Sequence, residues 1–494
     1  MPERATVSSR SEKSAEVVVV KGVLGRWKRR TEREGVFLAM STWQAQRQMP
    51  VQAGRPREGG GEAGSRLDSD EACCSRHEPM STGPSLLEAA LARENLKQAF
   101  KRVRANKGTS GVDGLDIDQT AQFLRTAWPA IREQLLMGTY RPSPVRRVTI
   151  PKPGGGEREL GIPTVVDRLI QQALLQVLQP ILDPTFSEHS HGFRPGRGAH
   201  DAVLAAQSYV QSGRRIVVDV DLEKFFDRVD HDILIDRLQK RIKDTGVIRL
   251  IRAYLNSGIM DEGVVRKRTM GTPQGGPLSP FLANILLDEV DKALERRGHR
   301  FARYADDLNV YVRSRRAGER VMRLLRRLYG RLHLTVNETK SAVASVFGRK
   351  FLGYTLWVAP GGVIKRKVAD KPLATFKARI RQLTRRTVGR SMADVVQQLR
   401  PYVLGWKAYF RLAQTPSVWL RLDEWLRHRL RAIQLKQWKR GTTMYRELTK
   451  LGAKPDVARK VAANSHCWWR NSGKDLNRVL TLAWFDQLGA PRLS

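Results

Sequence analysis

Along this chain the spacing of apolar residues changes twice, and each change marks a different architecture. Between Leu86 and Phe100 the apolar positions Leu86, Leu87, Ala90, Leu91, Leu96 and Phe100 recur at helical spacing, which places the start of order near Met80. From about residue 145 the pattern alternates. PVRRVTIPKPGGGERELGIP reads as two short strands around a Gly-rich turn, and DRLIQQALLQVLQPIL as an amphipathic helix up to Pro180. RRIVVDVDLEKFFDRV predicts a buried strand running into a helix, RYADDLNVYVR a hairpin, and RKFLGYTLWV a strand pair. After about residue 365 the period is helical again, in LATFKARIRQLTRRT, MADVVQQL, PYVLGWKAYFRLA and VWLRLDEWLRHRLRAIQLKQWKR, with Pro401 placed where a helix can restart. Strands far apart in sequence, interleaved with helices, define an α+β core.

Residues 1–79 fit neither pattern. They include GRPREGGGEAGSRLDSDE, hold 14 basic and 11 acidic residues, and sustain no period of 2 or 3.6, so a disordered leader is expected there. At 494 residues the chain is long enough for two to four domains. Lys and Arg total 88 against 49 Asp and Glu, a formal charge of +39 in 494 residues. Such an excess resists compaction unless a polyanion neutralises it, and a nucleic-acid backbone does so most directly. Residues 361–494 carry 29 basic and 8 acidic side chains, with seven of the 11 tryptophans. Tryptophans at helical spacing read as core, and the basic residues on other faces as nucleic-acid contacts. Arg427, Arg431 and Lys436, on the helix beginning near Val418, are the candidates.

Only Cys73, Cys74 and Cys467 occur, so neither a disulfide framework nor a zinc spacing is available, and a reducing cytoplasm is expected. No apolar run approaches the roughly 18 residues of a membrane span. The N-terminal Val run is short and preceded by charges, a poor signal peptide.

Adjacent Asp306 and Asp307 raise the chemical question. Two like charges in a hairpin are either a solvated turn or oxygen ligands for a divalent cation. Alternation along IVVDVD puts Asp219 and Asp221 on one face with Val220 on the other. If that strand neighbours the hairpin, three or four carboxylates converge, and an oxygen-only donor set favours Mg²⁺ or Mn²⁺ over zinc. Two such ions about 3.5–4 Å apart would activate an attacking hydroxyl and stabilise a leaving pyrophosphate. Asp227 lies beyond LEKFF and suits a local cap or pair. Lys152 and Arg158 flank the glycine turn, where their charge could hold a triphosphate, and Gln274 in MGTPQGGPLSPF sits among small residues that allow a ligand to approach the backbone.

Taken together, PVRRVTIPKPGGGERELGIPTVVDRLIQQAL, FSEHSHGFRPGRGAHDAV, DVDLEKFFDRVDH, GTPQGGPLSPFLANILLDEVD, RYADDLNVYV and KFLGYTL resemble, in order, the successive blocks of the reverse transcriptases encoded by bacterial group II introns. LLEAALARENLKQAFKRVRANKGTSGVDG resembles their N-terminal extension and LRPYVLGWKAYFRLA their maturase domain, so the likeness covers roughly residues 84–494. The short ending, without an endonuclease-type constellation, resembles the endonuclease-free subgroup. The resemblance implies a right-hand polymerase of fingers, palm and thumb followed by a helical maturase region. In these terms residues 80–200 would be N-terminal extension and fingers, 201–364 palm interleaved with fingers, 365–440 thumb and maturase domain, and 441–494 a small basic nucleic-acid-binding region.

Carried over position by position, the resemblance assigns metal binding to Asp221, Asp306 and Asp307 with the carbonyl of Leu222, two Mg²⁺ ions being expected. Lys152 and Arg158 would hold the triphosphate, Phe226 would exclude a 2′-hydroxyl by bulk, and Gln274 and Ala305 would line the nucleotide. Phe351, Leu352, Gly353 and Tyr354 would grip the primer. Asp219 falls outside the catalytic position in this alignment. Implied partners are the intron RNA, an RNA or DNA template with a DNA primer, and deoxynucleoside triphosphates, in the cytoplasm and at the nucleoid. Two other readings remain open at this stage: a domesticated relative serving repair or phage defence, and a splicing factor that binds RNA without polymerising.

Overall fold

The computed structural model describes residues 85–151, 157–261, 264–266, 269–386 and 389–494. The expected leader 1–79 and Lys152 lie outside them, as does the start of order expected near Met80. The chain divides into two compact units, each discontinuous in sequence. The first takes the described residues up to Phe186 with Phe193–Gly198 and Lys224–Asp288, and the second takes Ser187–Gly192, Ala199–Glu223 and Glu289–Ser494.

In the first unit the strands β1 (Val145–Pro151) and β2 (Glu157–Ile162) form the expected antiparallel hairpin, with Ile150 opposite Arg158. The short strands β4 (Ile259–Asp261) and β5 (Val264–Arg266) extend it to the order β2-β1-β4-β5, β4 running parallel to β1. The helix expected up to Pro180 spans Val165–Leu182 and is buried almost all round rather than on one stripe. Two of its buried charged groups find partners within the protein. The Asp167 carboxylate accepts from Thr164 Oγ1 at 2.6 Å, Tyr140 Oη at 2.8 Å and the Ser143 amide at 3.2 Å. Arg168 donates to the Thr109 carbonyl at 2.7 Å.

The second unit is built on an antiparallel sheet of β3 (Ile216–Val220), β6 (Arg300–Tyr304), β7 (Asp307–Val312) and β8 (Ala342–Ser345), in the order β6-β7-β3-β8. The predicted strand at 216 does not run directly into a helix. It is followed by a single 3-10 turn at Phe225–Asp227, and the helix starts at His231 behind the Asp230 cap. Register aligns Val218 with Val310 and Val217 with Tyr311, so β3 and β7 share two faces. Val217, Tyr311 and Ala302 join the core with Ala202, Val203 and Ala206 of the helix Ala199–Gln211. On the opposite face Val218, Val312 and Val343 surround Gly318 of the helix Arg315–Arg331. A smaller sheet, order β11-β10-β9, pairs β9 (Lys350–Phe351), β10 (Tyr354–Val358) and β11 (Ile364–Val368).

Helices dominate after Asp370, as the period predicts. Pro401 does not restart a helix; it lies inside the continuous helix Met392–Phe410. An internal proline removes a hydrogen bond and clashes with the preceding turn, at a cost of about 3 kcal/mol. Packing of Val396, Leu399 and Val403 into one core with Phe376, Leu426 and Leu430 offsets it. Trp406, Trp419, Trp425, Trp438 and Trp484 pack against that core, in line with the structural reading of the tryptophans. Leu480, Phe485, Ala490 and Leu493 return to the same core, and Asp423 accepts from the amides of Leu493 and Ser494 at 2.9 and 2.7 Å.

That packing corrects the assignment of Arg427 and Arg431 to RNA. They lie on the inner side of the helix Pro416–Trp438, 1% and 7% exposed. Arg427 donates to the Pro491 carbonyl at 3.2 Å and Arg431 to the Leu480 carbonyl at 3.0 Å, and both guanidinium groups lie over the Phe485 ring. Lys436 rests its ammonium over Trp468, 4.9 Å from the ring centroid. The sequence period could not separate these residues from solvent-facing arginines, because the groups that cover them come from residues 480–491. Breaking such a buried charge network costs about 3–5 kcal/mol, whereas an apolar residue of similar volume is often tolerated. Arg427→Glu should therefore lower the melting temperature sharply, and Arg427→Met far less. Thermal unfolding that ranks the two variants equally would contradict a packed interior role.

Candidate active site

The two-residue turn Ala305–Asp306 joins β6 to β7 and brings Tyr304 opposite Asp307. Ala305 adopts φ 58°, a conformation that costs a non-glycine residue on the order of 1–2 kcal/mol. What holds it is a buried cluster. Arg303 and Asp291 are 1% and 0% exposed, and Arg303 Nε donates to both Asp291 oxygens at 2.9 Å. Nη2 donates to Asp291 at 2.6 Å and to Ser190 Oγ at 2.8 Å, while Nη1 donates to the Ala305 carbonyl itself at 2.9 Å. The segment 189–192 runs alongside: His191 donates its amide to the Arg303 carbonyl at 2.8 Å, and the Arg303 amide donates to His189 at 2.9 Å. At Gly192 a β-carbon would stand 2.3 Å from the Ala305 amide nitrogen, so this approach demands glycine. Sequence reading passed over Arg303, Asp291, Ser190 and Gly192. An arginine at an alternating strand position, facing the buried side, was the available signal.

Alternation places Asp307 on the sheet face of Asn309 and Asp219, which are cross-strand partners. Burial pushes the Asp307 carboxyl up to about 7, and repulsion from Asp219, Asp306 and Asp221 adds to it. Burial likewise raises Asp219, which has its own partners: Arg349 Nε at 3.6 Å and, with the Asn309 amide turned to satisfy its bonds, Asn309 at 3.1 Å. Asp221 lies just past β3. Its amide donates to Ser341 Oγ at 3.0 Å, its carbonyl accepts from the Asn337 amide at 2.8 Å, and Lys340 Nζ stands 3.0 Å from its carboxylate. Leu222 beside it is buried and bridges to Val336.

Among the described residues no group of three or more Asp, Glu, His or Cys side chains is arranged tightly enough to hold a metal ion outright. The donor set nevertheless fits a hard divalent cation. It consists of carboxylates that repel one another at one site, and Mg²⁺ keeps waters and substrate phosphates among its ligands rather than requiring a full protein cage. Lys340 supplies the positive charge beside Asp221 in this arrangement.

The strand pair at 350–358 turns through Leu352 and Gly353, with φ 50° and 80°. Both residues are left-handed, as a tight two-residue hairpin requires. Tyr409 donates its hydroxyl to the Leu352 carbonyl at 3.0 Å, and the Ala369 amide donates to that of Gly353 at 2.9 Å. Phe351 and Tyr354 are buried beneath this turn.

Phe226 and Gln274 belong to the first unit. Phe226 is half-buried, packs edge-on against Phe225 at 5.1 Å, and its carbonyl accepts from the Thr272 amide at 2.7 Å. Gln274 borders a recess with Asp227, Arg147, Glu159 and Gly161, and its carbonyl accepts from the Gly161 amide at 3.2 Å. Thus the unit gathers the β1–β2 hairpin, Phe226 and Gln274 into one neighbourhood. The backbone of Arg158 lies in β2 opposite Ile150.

Comparison with known proteins agrees with these motifs. Residues 150–356 match the family described as "Reverse transcriptase (RNA-dependent DNA polymerase)", and residues 373–452 match "Group II intron, maturase-specific domain". Protein YkfC of Escherichia coli (strain K12) is 33% identical over 322 residues, covering 56% of this chain and 84% of that protein. Group II intron-encoded protein LtrA of Lactococcus lactis subsp. cremoris is 41% identical over 195 residues, 39% of this chain but only 32% of LtrA. A solved structure described as "Partial Cas6-RT-Cas1--Cas2 complex" aligns with half of this chain (50%, and 43% of its own) at 25% identity, with a TM-score of 0.33. The chain belongs to the group II intron-encoded reverse transcriptases, RNA-directed DNA polymerases that carry a maturase domain. Among the described residues no helix is long and apolar enough to cross a membrane.

Two outcomes are expected at this site. Replacing Arg303 by Met strands Asp291 and frees the Ala305 carbonyl, so kcat should fall far more than KM for nucleotide changes. The pair Arg303→Met with Asp291→Leu should recover much of the lost stability, since no buried charge is left unpaired, but not the lost kcat. Recovery of both together would reduce Arg303 to a fold-stabilising residue.

Protonation provides the second. Folded Asp307 keeps its proton to about pH 7, against 3.8 ordinarily. Between those values the folded state binds more protons than the unfolded one, so without a divalent cation stability falls as pH rises through that window. Cation binding needs the ionised form, so the gain in melting temperature on adding Mg²⁺ should be larger at about pH 8 than at about pH 6. A gain that ignores pH would remove Asp307 from the binding group.

Proposed function

We propose that the carboxylates of Asp221, Asp306 and Asp307, with the Leu222 carbonyl, hold two Mg²⁺ ions for nucleotidyl transfer during RNA-templated DNA synthesis, within a right-hand arrangement of fingers, palm and thumb. The observation that carries this reading is the Asp306–Asp307 hairpin, which sets the partly buried Asp307 on the sheet face of Asp219, where burial and three neighbouring carboxylates disfavour its anion. When bound, the ions would activate the primer 3′-hydroxyl and neutralise the leaving pyrophosphate. The hydroxyl oxygen forms its new bond to the α-phosphorus of a deoxynucleoside triphosphate as the bond to pyrophosphate breaks.

The chain's own residues bind and orient. Lys152 and Arg158 would hold the triphosphate, Phe226 would stand beneath the sugar and exclude a 2′-hydroxyl, and Gln274 and Ala305 would border the nucleotide. The Phe351–Tyr354 turn, locked by Tyr409, suits a rigid grip on the primer end. Fingers would fall within residues 80–200, palm within 201–364, and thumb and maturase helices from 365 onward, with a basic region at 441–494. The partners are intron RNA, which the chain would help to splice and then copy, and a primed template.

Asp306→Ala decides the assignment. Primer extension on an RNA template should fall by several orders of magnitude while RNA affinity stays within about twofold, because a metal cluster acts as a unit. Near-normal extension by the folded variant would sink it.

A further inference from the structure

The helix Arg315–Arg331 covers the sheet face lined by Val218, Val312 and Val343, through a buried side that includes Gly318, Met322 and Leu325. By alternation and register, Asp219 and Asp307 lie on the other face of the same sheet. The helix therefore backs the sheet whose front carries acids.

Its solvent side is unusual. Arg316, Arg320, Arg323, Arg327 and Arg331 are all exposed and recur at i, i+4, i+7, i+11 and i+15. At about 100° per residue they share an arc of roughly 80°, centred opposite the buried side. The helix holds a single acid, Glu319, which lies off this arc and pairs with Arg315 at 3.4 Å. Arg326, also off the arc, is taken by Glu338 at 2.8 Å. Among the described residues the five arginines of the arc make no ion pair.

Like charges at i, i+4 work against a helix, and mixed charge would serve solubility as well. A single-sign row of guanidinium groups instead suits a partner with anions at regular intervals. The row extends about 22 Å, over which each strand of a duplex presents about six phosphates. Arginine's fork also matches a phosphate group better than a lysine point charge does.

We propose that this row is a docking surface for the phosphate backbone of a folded RNA, behind the catalytic sheet. The inference rests on the reading of the chain as one that binds intron RNA. A strand held at the back of the sheet is not the strand copied at its front, so the row anchors the RNA and does not feed the template.

The test replaces Arg316, Arg320, Arg323 and Arg327 together by Gln. All four are exposed, so the fold should survive, with thermal unfolding as the control. Two probes are used: a folded group II intron transcript, and a short RNA template with a DNA primer. For the transcript, affinity should fall about tenfold or more near physiological salt, and the slope of log K against log salt should flatten by about three. The same four positions changed to Lys should keep most of the slope. Values of kcat and KM on the short primer–template should stay unchanged in both.

An unchanged affinity and slope for the transcript overturn the proposal and leave a solvated face or an acidic protein partner. Equal losses on transcript and short template also overturn it, placing the copied duplex on the row. Failure of the unaltered protein to bind the transcript at all would instead strike the intron-RNA reading, whatever the variants do.

Discussion

A guanidinium with almost no exposure, Arg303, spends its hydrogen bonds on a carboxylate, a hydroxyl and one backbone carbonyl, that of Ala305. That division fixes the left-handed residue from which Asp306 and Asp307 follow. Buried ion pairs often add little net stability against apolar substitutes, because desolvation of both charges opposes their attraction. Here the pair supplies direction instead. It ties the end of the helix Ser279–Glu295, the segment 189–192 and the hairpin tip together, so the tip cannot relax without unpairing a buried charge. Strain at Ala305 and repulsion around Asp307 are both tolerated because this cluster over-determines the turn.

Charge is sorted in the second unit by sheet face. Carboxylates gather on one side of β3 and β7, where burial and mutual repulsion hold a proton on Asp307 near neutrality. The opposite side is valine, and over the valine lies a helix whose outer surface is arginine. A protein of this net charge needs anions on its surface and cations among its acids, and the sheet keeps the two demands apart.

Not every arginine in the basic C-terminal quarter is for a ligand. Arg427 and Arg431 sit beneath the returning chain at 480–491, donating to the backbone carbonyls of Pro491 and Leu480. Burial lowers the pKa of both, Arg431 to about 10, a shift that leaves each charged at neutral pH. Their aromatic and carbonyl surroundings are what a guanidinium tolerates better than an ammonium.

Local pattern was enough for much of this protein. Alternation in VRRVTI and DLNVYV and the helical period after residue 365 gave the elements, since hydrophobic periodicity is a property of neighbours in sequence. The ordered motif blocks identified the family, and the paired aspartates pointed to the proposed chemistry, because the ligand types a hard cation needs are visible as letters. What only tertiary structure decided depends on residues distant in sequence. Pro401 stays within a helix because its neighbours Leu399 and Val403 pack into a core, Arg427 is interior because residues from 480 onward fold over it, and Asp219 meets Asn309 through strand register and Arg349 from the turn after β8. Arg303 was an unremarked letter before Asp291 and Ser190 met it; no period in the sequence carries that meeting, which exists only where three segments close on one another.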